Sequence, residues 1–191
     1  MRPIRILVVG LALLIATPVA LATHTVSNSC FGESVEIQGT DGNDSNVRGD
    51  GSANVIAIGA GSDNIYSHGS GDRVCADDDN DYTEGGNGAD RLAGNGGNDG
   101  VLGEDVGDTE VQGNTGTDAV EGNAGNDEAL RGGGGSDNVN GGNGDDTLYD
   151  GSGDDLVDGG PDIDTWKPCP DGINDTDVNI ENYFVAQDEF C

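Results

Sequence analysis

Aspartate is the residue in this chain whose spacing could do chemistry. Asp44, Asn54, Asp63, Asp72, Asp81, Asp90, Asp99, Asp108, Asp118, Asp127, Asp137, Asp146, Asp155 and Asp164 follow one another at nine-residue steps, interrupted by three steps of ten. Carboxylates ordered in this way are hard oxygen donors. Ca²⁺ is the cation they suit, since it takes about six to eight oxygens at roughly 2.3–2.6 Å from carboxylates and backbone carbonyls together. Two residues before the acidic position there is usually a glycine, as at Gly42, Gly61, Gly88, Gly97, Gly116, Gly125, Gly135, Gly144 and Gly153. Glycine permits backbone angles closed to other residues and lets carbonyls crowd a small ion.

The elements that hold these donors follow from a second regularity. Two residues after the acidic position the chain carries Ile56, Ile65, Val74, Leu92, Val101, Val120, Val139, Leu148, Val157 and Trp166. The unit is Gly-x-x-Gly-x-Asp-x-apolar-x, seen cleanly in GGNGADRLA (85–93), GNTGTDAVE (113–121), GGGGSDNVN (132–140) and GGNGDDTLY (141–149). Three residues make only a short strand with alternate side chains on opposite faces. One inward apolar residue per unit fits that geometry. At Asn46, Glu110 and Ala129 the apolar slot slips by one, to Val47, Val111 and Leu130.

This pattern resembles the RTX, or haemolysin-type calcium-binding, nonapeptide repeats. The resemblance covers about residues 39–166 and implies an all-β, right-handed parallel β-roll, a solenoid of 18-residue coils made of two units each. It also implies that aspartates one coil apart grip the same ion, with turn carbonyls completing its shell. The expected ligands are Asp44, Asp63, Asp81, Asp99, Asp118, Asp137 and Asp155 on one edge, and Asp72, Asp90, Asp108, Asp127, Asp146 and Asp164 on the other, where Asn54 starts the row without a charge. Seven turns per edge leave six gaps, so at most twelve sites are expected. The doubtful ones lie in the N-terminal half. ADDDNDYTE (76–84) has no glycine and puts Thr83 in the apolar slot, Ser70 precedes Asp72 where glycine is usual, and Val106 does so before Asp108; later, Asp162 does so before Asp164.

Composition agrees with an ion-completed fold. There are 35 Gly, 4% aromatics, and 37 acidic residues against 7 basic ones, for a net charge of −30. That charge excludes nucleic acid as a partner. The apolar volume is too small for an ordinary core, so the chain is expected to fold on ion binding. A flexible Gly-rich linker would explain the composition but not the register. EF-hands fail: after Asp77, Asp79 and Asp81 the glycine and glutamate positions hold Tyr82 and Gly88.

Residues 1–22 have a basic start, an apolar run and Ala20-Leu21-Ala22, the layout of a signal peptide cleaved after Ala22. A secreted, extracellular protein is expected. Its four cysteines then favour Cys30–Cys75 and Cys169–Cys191 as the economical pairing of three. Residues 23–38 and 167–191 read as N- and C-terminal caps, with Val35 and Ile37 in a first strand and VNIENYFV (178–185) covering the last coil. There is no HExxH or GxSxG, and His24 and His68 read as exposed bystanders, so no enzyme is expected. The reading is a monomeric calcium-binding protein with a structural or surface-interaction role. The alternative is a module for a carbohydrate or cell-surface partner carried on a Ca²⁺-stabilised solenoid. An ice-binding face would need a regular Thr ladder, and Thr follows the acidic position only at 109, 147 and 165.

Overall fold

The computed structural model describes residues 29–169, 175–180 and 182–183. The described residues contain strands and turns and no helix. Successive strands alternate between two parallel sheets, as a nine-residue unit that turns once per half-coil requires. One sheet has nine strands, from Ile37–Gln38 to Asn182–Tyr183, and the other has eight, from Val47–Arg48 to Thr176–Val178. The β-roll expected from the repeat is therefore the architecture of the chain.

The register places like on like. In the nine-stranded sheet Ile37, Ile56, Val74, Leu92, Val111, Leu130, Leu148 and Trp166 stack in one column. In the other sheet Val47, Ile65, Thr83, Val101, Val120, Val139 and Val157 form a second. These two columns face each other and are nearly the whole core, with Ile58 and Ala76 added at the N-terminal end. The core is thin because only every second strand residue points inward.

The three extra residues are absorbed between the aspartate and the strand. At Thr109 and Glu110 both backbone N–H groups donate to Asp90 O, at 3.1 and 3.3 Å, so two residues oppose one as in a β-bulge. The bulge moves the inward position to Val111, and Leu130 and Val47 occupy the inward columns in the same way. Thr83 keeps its place between Ile65 and Val101 and is fully buried. The irregular stretch 76–84 thus stays in phase with its neighbours.

At the N-terminus Ser29–Cys30 and Glu33–Ser34 form an antiparallel hairpin. The Cys30–Cys75 disulfide ties it to the strand Arg73–Asp78. Ile37 begins the parallel sheet as expected, whereas Val35 lies just outside the strand. Cys191, the expected partner of Cys169, lies outside the described residues, as does the signal segment. At the other end the roll runs past residue 166: Thr176–Val178 pairs with Leu156–Asp158, and Asn182–Tyr183 pairs with Thr165–Trp166.

Candidate metal centre

Each repeat aspartate sits where a turn enters a strand, and the coil brings it under its counterpart one turn on. The backbone N–H of Asp44 donates to Oδ1 of Asp63, and the same bond repeats through Asp81, Asp99, Asp118, Asp137 and Asp155. On the other edge Asn54 N donates to Asp72 Oδ1, and the ladder continues through Asp90, Asp108, Asp127, Asp146 and Asp164. Every one of these bonds is 2.6–2.9 Å long. The structure thus brings all thirteen expected aspartates into the two expected rows.

The second carboxylate oxygen is the informative one. From Asp63 to Asp164 every repeat aspartate is at most 5% exposed. In Asp63, Asp72, Asp81, Asp90, Asp99, Asp108, Asp118, Asp127, Asp137, Asp146 and Asp155 the Oδ2 atom is buried with no hydrogen-bond partner. A buried unpaired carboxylate oxygen is expensive. Repeated in eleven consecutive residues of the two rows, it is the arrangement that a cation between the coils would satisfy. Turn geometry supplies more oxygen. At Gly135, with φ +142°, a Cβ would overlap the carbonyl oxygen of Gly116 one coil below. Carbonyls of stacked turns therefore face the next turn, and only glycine lets them come so close. The donor set, carboxylate plus carbonyl oxygen, fits a hard divalent cation.

The rows also explain the charge. Burial pushes the carboxyls of Asp81 and Asp108 up to about 8 and that of Asp155 up to about 7. Those of Asp72, Asp90, Asp99, Asp127, Asp137 and Asp146 rise to about 6 for the same reason. The N–H donated by the repeat residue one coil earlier, Asn54 for Asp72 and an aspartate for the others, opposes the rise, and neighbouring carboxylates add to it in most of them. A cation between them reverses this balance.

The ends of the rows differ from the middle. Asp44 is half-buried, and its Oδ2 already accepts from Thr40 N at 2.7 Å and Thr40 Oγ1 at 3.0 Å. Asn54 is buried but neutral, and accepts from Asp50 N at 2.9 Å. At the far end Asp155 N donates to Oδ1 of Asp175 at 3.1 Å, which adds an eighth member to the first row. The sequence hid Asp175 because it lies twenty residues after Asp155 and has Asp177, not an apolar residue, two positions later.

A family model for the RTX calcium-binding nonapeptide repeat, in 4 copies, matches residues 105–128 and 131–165. Within those residues the chain carries RTX calcium-binding nonapeptide repeats. No curated protein matches the chain. The matched segments hold three of the four cleanest units, 113–121, 132–140 and 141–149, and the same ladder of N–H to Oδ1 bonds runs back from them to Asp44. The N-terminal units have fewer glycines and keep the same coil. Left-handed backbone is carried there by Ser70 (φ 76°) and Asp79 (φ 79°), at positions where the regular repeats have glycine.

Proposed function

We propose that this is a secreted calcium-binding β-roll without enzymatic activity, in which multiple Ca²⁺ ions between stacked turns complete the folded state and the filled roll serves a structural or surface-interaction role. The single observation that carries the reading is the run of buried Oδ2 atoms without partners along both rows. The residues that would hold the ions are Asp63, Asp81, Asp99, Asp118, Asp137 and Asp155 on one edge and Asp72, Asp90, Asp108, Asp127, Asp146 and Asp164 on the other. Asp44 would contribute least, because Thr40 already takes its Oδ2. Turn carbonyls such as Gly116 O would add to the shell. Bound Ca²⁺ would supply positive charge to a chain of net charge −30 and so remove the repulsion that opposes the coil. Export rests on residues 1–22 and agrees with the Cys30–Cys75 disulfide. Equilibrium dialysis of the signal-free protein against Ca²⁺ tests the reading. Several ions per chain are expected, and a stoichiometry of one or none overturns it.

A second reading has its own observation. The outer face of the nine-stranded sheet holds a cleft of about 440 Å³ lined by Glu110, Gln112, Asn114, Arg131, Tyr149 and Ser152. Arg131 lies 4.1 Å and Lys167 4.9 Å from the centre of the Tyr149 ring. An aromatic ring among polar groups and cations suits a sugar from a carbohydrate or cell-surface partner. Glycan binding that needs Ca²⁺ and is lost in Tyr149→Ala would establish this use of the roll. Binding unchanged in that variant would remove it.

A further inference from the structure

One carboxylate stands where a repeat should carry none. Five residues before the repeat aspartate the regular units have glycine, as at Gly94, Gly113, Gly132, Gly141 and Gly159, and the carboxylate of the unit's own aspartate packs against that glycine. Before Asp155 the same position holds Asp150. Its side chain is fully buried. Asp150 Oδ1 accepts from Cys169 N at 2.8 Å and Gly151 N at 2.7 Å, and its Oδ2 accepts from Trp166 Nε1 at 3.1 Å.

Two further carboxylates converge on it. One oxygen each from Asp150, Asp155 and Asp175 lies within 4.8 Å of the others. Asp155 is 3% exposed, and its Oδ2 is buried with no hydrogen-bond partner. The donors that reach the three residues are backbone N–H groups and one indole N–H, and none of the described ion pairs involves them. Three acids so close, two of them buried, lack the positive charge that buried carboxylates need.

We propose that Asp150, Asp155 and Asp175 form a three-carboxylate divalent-cation site that closes the C-terminal end of the roll. All its donors are oxygens, with neither imidazole nor thiolate, so the ion is a hard one, Ca²⁺. It differs from the sites between repeat turns by its third carboxylate, which comes from an inward position of the strand Thr147–Ser152. The ion would join that strand, the turn at Asp155 and the strand Thr176–Val178 that follows Asp175. The last coil, which has Asp177 in register with the core residue Val157, would be held by the cation where the apolar column ends. The site goes beyond the proposed function and shares only Asp155 with it.

Trp166 places a luminescence donor against the site, and the variants separate it from the rows. It is the only tryptophan in the chain, and its N–H already touches Asp150. The test is Tb³⁺ luminescence of the signal-free protein, excited at the red edge of the indole band where tyrosine does not absorb. Indole-sensitised emission that Ca²⁺ displaces is expected. Asp175→Asn keeps an acceptor for Asp155 N, and Asp150→Gly restores the residue of the regular repeats. Each should retain the folded far-UV signal in excess Ca²⁺ while the affinity read from the emission falls by at least about tenfold. Unchanged emission in whichever variant folds overturns the proposal. So does absent indole-sensitised emission in a wild-type chain that binds several Ca²⁺ ions by dialysis. Indole-sensitised emission with a dialysis stoichiometry near one would uphold this site and refute the filled repeat rows.

Discussion

Asp108→Asn should change stability in opposite directions with and without calcium. Asp108 is fully buried, its Oδ1 accepts from Asp90 N at 2.8 Å, and its Oδ2 has no partner. Burial pushes its carboxyl from 3.8 up to about 8. Folding without the ion at pH 7 therefore requires Asp108 to take up a proton that the unfolded chain does not carry. At about 1.4 kcal/mol for each pH unit between 3.8 and 7, this costs roughly 4 kcal/mol. Asparagine keeps an oxygen for Asp90 N and carries no such cost, so the ion-free variant should gain on the order of 2–4 kcal/mol. In saturating Ca²⁺ the sign reverses, because the gaps on either side of Asp108 each lose a charged ligand. A site filled at a hundred times its Kd stabilises by about 2.7 kcal/mol, and the variant should lose roughly that much per gap. The assay is urea unfolding followed by far-UV circular dichroism, in chelator and in Ca²⁺. Sucrose is added throughout to keep the ion-free chain folded. A variant less stable than wild type in both conditions would refute the reasoning, since Asp108 would then be an ordinary structural acceptor.

The remaining predictions follow from the same geometry. Because the row carboxyls are raised when folded, the ion-free protein binds more protons folded than unfolded, so its stability is highest near pH 4 and falls as pH rises towards about 8; chelator-treated protein should gain β signal on acidification, and a loss of β signal over that range would contradict the burial of the rows. Gly135→Ala should cost more than about 2 kcal/mol in Ca²⁺, because its Cβ would overlap Gly116 O at a φ of +142°, while Gly51→Ala, with nothing within 4 Å, should be nearly neutral; thermal unfolding compares the two. Cys30→Ser with Cys75→Ser opens a link across 45 residues and should cost about 4 kcal/mol, read as a lowered urea midpoint.

The fold was legible because a coil repeats its instructions. One inward apolar residue and one inward aspartate per nine residues define both sheets, their register and both carboxylate rows, and the slips at Val47, Val111 and Leu130 were visible as displaced apolar residues. What escaped had lost one of those marks. Asp175 has no apolar residue two positions on and follows an insertion, so its membership of the first row depends on how the chain returns after residue 169. Asp150 replaces a glycine and reads as one acid among 37. Its burial comes from Trp166 and Cys169, which reach it through coil stacking, sixteen and nineteen residues away in sequence. The hairpin Ser29–Cys30 with Glu33–Ser34 has no repeat to announce it and is held by the disulfide.

The central claim is that cations supply what the thin apolar columns cannot. Far-UV circular dichroism of the signal-free protein at pH 7, recorded in chelator and then through a Ca²⁺ titration with Mg²⁺ in parallel, tests it most directly. A cooperative gain of β signal with Ca²⁺ and none with Mg²⁺ is expected. Full β signal in excess chelator, unchanged by Ca²⁺, would contradict it.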